Sequence, residues 1–182
     1  MTLSALERVL LVGFMGSGKS SVGRGVATGL GFRFMDFDEA IEAEAGARIA
    51  EMFERLGEAR FREVEARVAE RLLGEQSVVL GSGGGWAAAA PGRLVGVPEG
   101  TATFWLKVTA AEAVRRALRE PGTRPLLDRP DALAAATRLL EERAPRYEQA
   151  RWTVDTEGRS VEDVTAEVLG ILAREYPEAK AE

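Results

Sequence analysis

The residues with the clearest chemical purpose form a short glycine-rich segment, GFMGSGKSS, at positions 13–21. The spacing Gly-x4-Gly-Lys-Ser is met by Gly13, Gly18, Lys19 and Ser20. Glycines at these positions let successive backbone N–H groups turn toward phosphate oxygens. Lys19 adds a positive charge for the β- and γ-phosphates, and Ser20 offers a hydroxyl to Mg²⁺. The segment therefore predicts a nucleoside triphosphate site.

The residues on either side have the pattern that such a loop requires. The apolar run RVLLVGF before it predicts a buried strand, and the segment SVGRGVATGLG after it has Val22, Val26 and Leu30 at helical spacing. Gly31 then acts as a helix stop signal. The alternative is a glycine-rich turn that only caps a helix. The dinucleotide-binding spacing G-x-G-x-x-G is not matched.

Composition narrows the chemistry that is available. The chain has 182 residues, 46% of them hydrophobic, which predicts one domain over residues 1–182. It has no Cys and no His, so acid–base chemistry must use a carboxylate, Lys, Tyr or the substrate itself. A net charge of −5 argues against a nucleic-acid partner. We expect no membrane span and a cytoplasmic protein, because neither a long apolar run nor a secretion signal is present.

Apolar runs alternate with helix-like segments along the chain. This predicts an α/β fold with a largely parallel sheet and helices on both faces. The five runs are 9–14, 32–37, 77–81, 102–108 and 152–154. Helices are expected at 58–73 and 131–150 and from about Ser160. The residues predicted to face inward are Phe61, Val64, Val68 and Leu72 in the first, and Val161, Val164, Val168 and Ile171 in the last. The tail 176–182 is expected to be frayed.

Two aspartates follow the second apolar run, in the sequence FRFMDFD. In an extended backbone, Asp36 and Asp38 would share one face with their side chains about 6–7 Å apart. They would lie at the strand end where the phosphate loop also opens. One could hold the Mg²⁺ shell and the other an acceptor hydroxyl, as phosphoryl transfer requires. The alternative is that either residue only caps the next helix.

Two further segments have the composition of ligand-contacting loops. Gly83, Gly84 and Gly85 follow the third apolar run and would permit close backbone approach to a ligand, or they form a flexible turn. The segment REPGTRPLLDRPD at 119–131 is either a mobile flap over the phosphate site or an ordinary surface loop.

Six segments together resemble the shikimate kinase family, from about residue 8 to about residue 172. In chain order they are GFMGSGKSSVG, FMDFDEAIE, GEARFREVE, GSGGG, RPLL and ERAPRY. The resemblance implies a three-layer α/β/α P-loop fold like that of nucleoside monophosphate kinases, with a five-stranded parallel sheet. A mobile lid is expected at about 113–131 and a substrate-binding region at about 36–65. The implied reaction transfers the γ-phosphate of ATP to the 3-hydroxyl of shikimate in aromatic amino-acid biosynthesis. We expect a monomer that uses Mg²⁺.

The resemblance also implies roles for single residues. Asp38 resembles the aspartate that holds the shikimate hydroxyls and accepts the proton, and Asp36 the one that binds Mg²⁺ through water. Arg62 and Arg143 resemble the two arginines that clamp the substrate carboxylate, with Glu65 orienting Arg62. The substrate-binding set is Asp38, Arg62, Gly83, Gly84, Gly85 and Arg143.

The remaining implied roles concern catalysis, nucleotide and metal. The catalytic set is Asp38, Lys19 and Arg124, the last being the lid arginine in RPLL. The nucleotide-binding set is Gly16, Ser17, Gly18, Lys19, Ser20, Ser21, Arg116 and Arg124, with Arg116 near adenine. The metal-binding set is Ser20 and Asp36.

Three observations leave alternatives open. Glu58 lies four residues before Arg62, so Arg62 could simply form a helical ion pair. Trp86 follows the three glycines where the family has a small residue, which could reshape the pocket wall. Arg146 precedes Tyr147 where a leucine is usual, so Arg143 or Arg146 could bind the carboxylate, and we choose Arg143.

Two other functions compete with this interpretation. Another small-molecule kinase, such as a gluconate or nucleoside monophosphate kinase, would share the phosphate loop but not FRxxE, GGG and ERAPRY together. A regulatory nucleotide-binding module is disfavoured because the phosphate loop, both aspartates and Arg124 are all present.

Overall fold

A computed structural model describes residues 5–118 and 131–179 of the chain. Strands and helices alternate through most of this length. In chain order they are β1 (Arg8–Val12), α1 (Lys19–Leu30), β2 (Arg33–Asp36), α2 (Phe37–Ala45), α3 (Ile49–Leu73), β3 (Val78–Gly81), β4 (Thr101–Lys107), α4 (Ala110–Ala117), α5 (Ala132–Tyr147), β5 (Trp152–Asp155), α6 (Val161–Glu175) and a 3₁₀ turn (Pro177–Ala179).

The strands form one parallel sheet in the order β2-β3-β1-β4-β5. Each of the five apolar runs overlaps one of these strands, so the predicted sheet is confirmed. The register aligns the carboxyl ends of three strands, because Gly81 pairs with both Leu11 and Asp36. The loops that follow β1, β2 and β3 therefore leave the sheet at one edge.

Helices cover both faces of the sheet, as the alternation of β1 side chains requires. Val9 and Leu11 pack with the apolar residues of α1 and α6. Leu10 and Val12 pack on the other face with α2, α3, α4 and α5. The three-layer α/β/α architecture is thus confirmed, and the two faces have separate hydrophobic clusters.

The long helix α3 contains a kink at Gly57, whose backbone has φ 74° and ψ 169°. The part after the kink is the predicted helix 58–73. Phe61, Val68 and Leu72 are buried there, as predicted. The kink lets the second part of α3 begin beside the carboxyl edge of the sheet, with Arg62 in its first turns.

The chain end differs from expectation at two positions. Val161 does not face inward: it is 40% exposed, because it occupies the first turn of α6 directly after the Ser160 cap. Tyr176 is buried rather than frayed, and its ring lies 6.3 Å from that of Trp152. The large apolar area of an aromatic ring outweighs the entropy cost of ordering one terminal residue.

Part of the sequence-based prediction falls on residues that the structure does not describe. Arg124 and most of the lid expected at 113–131 lie outside the described residues, so both stay predictions. Among the described helices, none has the length and apolar character needed to cross a bilayer.

Candidate active site

The phosphate loop connects β1 to α1, and Lys19 folds back along it. The Lys19 ammonium donates to the carbonyl of Gly13 at 2.9 Å and to that of Phe14 at 3.0 Å. Gly18 precedes the helix with φ 89°, a left-handed conformation that glycine adopts without strain. The loop is therefore shaped before any phosphate binds, with the lysine lying along it.

One cleft of about 520 Å³ opens at the carboxyl edge of the sheet, beside this loop. The predicted residues that line it are Gly16, Gly18, Lys19, Ser20, Ser21, Asp36, Asp38, Arg62, Glu65, Gly83, Gly84, Gly85 and Arg143. The structure thus brings the phosphate loop, the aspartates, the second glycine cluster and the two arginines into one space. Ser17 is buried and lines the neighbouring cavity instead.

The sequence analysis did not identify the apolar part of this cleft. Ile49, Phe53 and Phe61 line it, and the two phenylalanine rings lie 4.3 Å apart. Phe53 is a large aromatic residue that remains 36% exposed in the described protein. An aromatic side chain at the mouth of a polar cleft can cover the apolar face of a ring-shaped ligand. The helical spacing between Ile49 and Phe53, which places both side chains on one helix face, is the sequence pattern that could have identified this part of the cleft.

The two aspartates do not share an extended face, contrary to expectation. Asp36 is the last residue of β2, but Asp38 already belongs to α2. One carboxylate oxygen of Asp36 accepts the Asp38 N–H at 2.9 Å and so caps α2, and the other accepts the Ser20 hydroxyl at 2.8 Å. Asp36 therefore caps α2, as the alternative interpretation of the sequence held, and it also contacts Ser20 of the phosphate loop.

Asp38 has an unusual electrostatic environment. Burial of its carboxylate among the cleft walls and, to a smaller extent, the nearby charge of Asp36 raise its pKa from 3.8 to about 6, against the opposing effect of Lys19. The residue as a whole remains exposed to solvent through the cleft mouth. At pH 7 the carboxylate is thus ionised, but it holds a proton more readily than an ordinary aspartate does.

The three glycines form a wall that presses against the functional side chains. A Cβ atom on Gly83 would lie 2.6 Å from Asp38 Oδ1, and one on Gly85 would lie 3.1 Å from Arg62 Nη1. Gly84 has more room, with its nearest neighbour at 3.5 Å. A side chain at Gly83 or Gly85 would therefore displace the end of the Asp38 or the Arg62 side chain, so the glycine backbone lies close enough to influence where both groups point.

Arg62 forms ion pairs with both Glu58 and Glu65, the two partners considered from the sequence. Its guanidinium donates to Glu65 at 2.9 Å and to Glu58 at 3.4 Å. The Glu65 side chain is only 3% exposed, whereas that of Glu58 is 71% exposed. Because solvent screens an exposed pair, the contact with buried Glu65 fixes the direction of Arg62 more strongly.

Arg143 and Arg146 lie on α5 but in different places. Arg143 lines the main cleft, where its guanidinium donates to the Gly84 carbonyl at 2.9 Å. The buried Tyr147 hydroxyl donates to that same carbonyl. Arg146 lines an adjoining cavity of about 700 Å³ that Arg62 and Arg143 also border. This placement favours Arg143 over Arg146 as a ligand in the cleft.

Trp86 does not reshape the pocket wall as the sequence suggested. It is only 4% exposed, and it is not among the described residues that line the main cleft. Its ring packs edge-on against Phe37 at 5.4 Å, within the cluster beneath the glycine wall. The large side chain is accommodated by the core, so the surface that faces the cleft is the glycine backbone.

A further cavity of about 620 Å³, separate from the one that Arg146 lines, lies on the other side of the phosphate loop. Arg116 borders it and donates to the carbonyls of Gly16 at 3.0 Å and Thr156 at 2.7 Å. The carboxylate of Glu112 pairs with both Arg115 and Arg116, and these guanidiniums, Arg115 foremost, lower its pKa to about 2. The sequence analysis did not identify Glu112 or Thr156, which fix Arg116 against the loop.

The oxygen atoms beside the loop suit a hard cation. The Ser20 hydroxyl and the Asp36 carboxylate are in contact, and the buried Ser82 hydroxyl lines the same cleft without a hydrogen-bond partner among the described residues. No cluster of three or more His, Cys, Asp or Glu side chains able to hold a metal occurs within 5–118 and 131–179. Such a sparse oxygen set fits Mg²⁺ that is bound mainly through phosphates and water.

Comparison with known proteins agrees with this geometry. The model of the family described as shikimate kinase matches residues 15–173. A shikimate kinase of Nitrobacter winogradskyi is 43% identical over 164 residues, which cover 90% of this chain and 76% of that protein.

Two solved structures have similar folds. The shikimate kinase of Acinetobacter baumannii, solved in complex with shikimate, gives a TM-score of 0.85 at 32% identity, covering 93% of this chain and 94% of that one. A gluconokinase of Sinorhizobium meliloti gives a TM-score of 0.59 at 22% identity, covering 95% of each chain, which shows a shared fold alone. Sequence, cleft and comparisons together place this chain in the shikimate kinase family.

Proposed function

We propose that this chain transfers the γ-phosphoryl group of ATP to the 3-hydroxyl of shikimate, giving shikimate 3-phosphate and ADP. One observation carries the proposal: a phosphate loop, a carboxylate of raised pKa and two guanidiniums line a single cleft. An acceptor that carries both a carboxylate and hydroxyls matches this set of groups. The relative solved with shikimate bound supports the choice of acceptor.

On the donor side, the backbone of residues 16–21 holds the phosphates, and Lys19 neutralises their developing charge. The Lys19 ammonium contacts the carbonyls of Gly13 and Phe14, which places its charge beside the loop backbone that binds the phosphates. Arg116 lies beside the adenine, held in place by Glu112 and Thr156. Arg124 is proposed to reach the transferring phosphate from the lid.

The Ser20 hydroxyl and the Asp36 carboxylate would hold Mg²⁺, and the ion would supply charge neutralisation at the phosphates. Asp36 keeps its cap on α2, which fixes the direction of its second carboxylate oxygen toward Ser20.

On the acceptor side, Arg62 and Arg143 bind the carboxylate and Asp38 holds the hydroxyl that is phosphorylated. The wall of residues 83–85 closes the space between them. A loose transition state leaves the hydroxyl proton in place until late, so Asp38 need not be a strong base. Its main contribution is to position the nucleophile, with a pKa near 6 that permits proton uptake at the end.

We also propose that the chain acts as a single-domain monomer in the cytoplasm. One sheet runs through the described residues and carries both hydrophobic clusters, which supports a single folding unit. ATP, the proposed donor, is abundant in that compartment.

The acceptor is tested by measuring ADP release from Mg·ATP. Shikimate should stimulate release strongly, whereas gluconate and nucleoside monophosphates should leave it at the background rate. Gluconate has a carboxylate and hydroxyls but no ring to cover the apolar side of the cleft formed by Ile49, Phe53 and Phe61, and nucleoside monophosphates have no carboxylate for the arginines. Stimulation by gluconate alone would assign the scaffold to a different kinase.

Replacement of the proposed hydroxyl ligand separates chemistry from nucleotide binding. Asp38→Asn should lower kcat by about 10²–10⁴-fold, because the neutral amide positions the hydroxyl less well and cannot take up its proton at the end of the transfer. The Kd for ATP, measured by calorimetry, should stay nearly unchanged, since Asp38 is not part of the phosphate loop. Turnover close to that of the wild type would remove Asp38 from the mechanism.

The glycine wall offers a matched pair of variants. In Gly83→Ala the new methyl group would collide with Asp38 Oδ1, so kcat/KM for the acceptor should fall by about 10²-fold through misplacement of the carboxylate. Gly84→Ala adds the same methyl group where its nearest neighbour is 3.5 Å away, and its effect should be much smaller. Equal losses in both variants, by steady-state kinetics, would contradict the role of the wall in placing Asp38.

A further inference from the structure

Trp86 connects the glycine wall to the core beneath it. Its backbone N–H donates to the Gly83 carbonyl at 3.1 Å, which closes a turn around residues 83–86. Its buried ring packs on Phe37, the residue directly before Asp38. The conformation of the wall therefore depends on how Trp86 is held.

Arg93 is the side chain that holds Trp86. Its guanidinium donates to the Trp86 carbonyl at 2.9 Å and lies 5.5 Å from the centre of the indole ring. The side chain is only 20% exposed. A guanidinium that makes both a hydrogen bond and a cation–π contact has little freedom to move.

The same guanidinium also reaches Glu65. Arg93 Nη1 lies 3.9 Å from Glu65 Oε2, the oxygen that accepts from Arg62 at 2.9 Å. One buried carboxylate oxygen thus lies between two guanidiniums, one in the cleft and one behind it. Arg93 is not among the described residues that line the main cleft, and it borders the adjoining cavity together with Arg62 and Arg143.

Charge gives this arrangement a consequence. Arg62 pairs with the buried carboxylate of Glu65, whereas the charge of exposed Glu58 is largely screened by solvent. Arg93 adds a second positive charge beside Glu65. Without Arg93, less positive charge would lie near the place where an acceptor carboxylate must bind, and its attraction would be weaker.

We propose that Arg93 is a positioning residue for the acceptor carboxylate, acting through Glu65 on Arg62 and through the Trp86 carbonyl on the glycine wall. The inference rests on the proposed function, because its measure is the binding of shikimate. Burial lowers the pKa of Arg93 while Glu65 opposes that effect, yet a guanidinium stays protonated in proteins, so the charge is permanent.

The test compares Arg93→Met with Arg33→Met in steady-state kinetics. Arg93→Met should raise the KM for shikimate by about tenfold or more, a typical coupling within one ion-pair network, and leave the KM for ATP unchanged. Arg33 forms a 3.0 Å pair with Glu75 on an exposed surface, so Arg33→Met controls for loss of an arginine and should change neither KM. An unchanged KM for shikimate in Arg93→Met would overturn the proposal.

A second arm asks whether Arg93 acts through Arg62. In an Arg62→Met background, Arg93→Met should raise the KM for shikimate by less than about threefold, because the group being positioned is gone. A full tenfold increase in that background would contradict the inference, because the route through Glu65 and Arg62 would then contribute nothing. Parallel increases in both KM values, with a lower melting temperature, would indicate a general structural role and also overturn it.

A third variant keeps the test decisive if Arg93→Met does not fold. Arg93→Gln retains a donor for the Trp86 carbonyl but removes the charge, so its KM for shikimate should rise while its melting temperature stays close to that of the wild type. Wild-type KM values in a folded Arg93→Gln protein would overturn the proposal. Failure of the wild-type protein itself to phosphorylate shikimate would instead overturn the proposed function.

Discussion

The register between three parallel strands is the constraint on which the whole site depends. Gly81 of β3 pairs with Leu11 of β1 and Asp36 of β2, so the three strands end at one level. The phosphate loop, the start of α2 with Asp38, and the glycine wall follow directly from these strand ends. A slip of one residue in either pairing would separate the groups that must meet around a transferring phosphate.

Close packing at the edge where these strands end gives the cleft its shape. Glycine backbone approaches Asp38 and Arg62 to distances that leave no room for a side chain, and buried Glu65 and Trp86 support it from behind. This packing has an electrostatic consequence, because the carboxylate of Asp38 is crowded and its pKa rises to about 6. Sites that concentrate charge in this way commonly sacrifice stability for function.

Much of this could be predicted from the sequence, and the exceptions have physical reasons. The phosphate loop, five strands and helix 58–73 are local patterns, and they were confirmed. Asp38 was wrongly placed on a strand because alternation cannot show where α2 begins. Val161 and Tyr176 were misjudged because burial at a helix end depends on tertiary neighbours. The Arg93–Glu65 contact joins residues 28 positions apart. It could not be predicted, because the spacing of apolar residues reveals helices and strands but not which distant side chains meet.

The central proposal is that Arg62 and Arg143 recognise the acceptor carboxylate while Asp38 holds an acceptor hydroxyl in the same cleft. The most direct measurement is the ratio of kcat/KM for shikimate to that for its uncharged methyl ester, in the wild-type protein and in Arg62→Met. Wild-type protein should prefer shikimate by about 30-fold or more, as expected when a buried charge contact is lost, and Arg62→Met should lose most of that preference. An equal preference in both proteins would contradict the claim, because the carboxylate would then be recognised elsewhere.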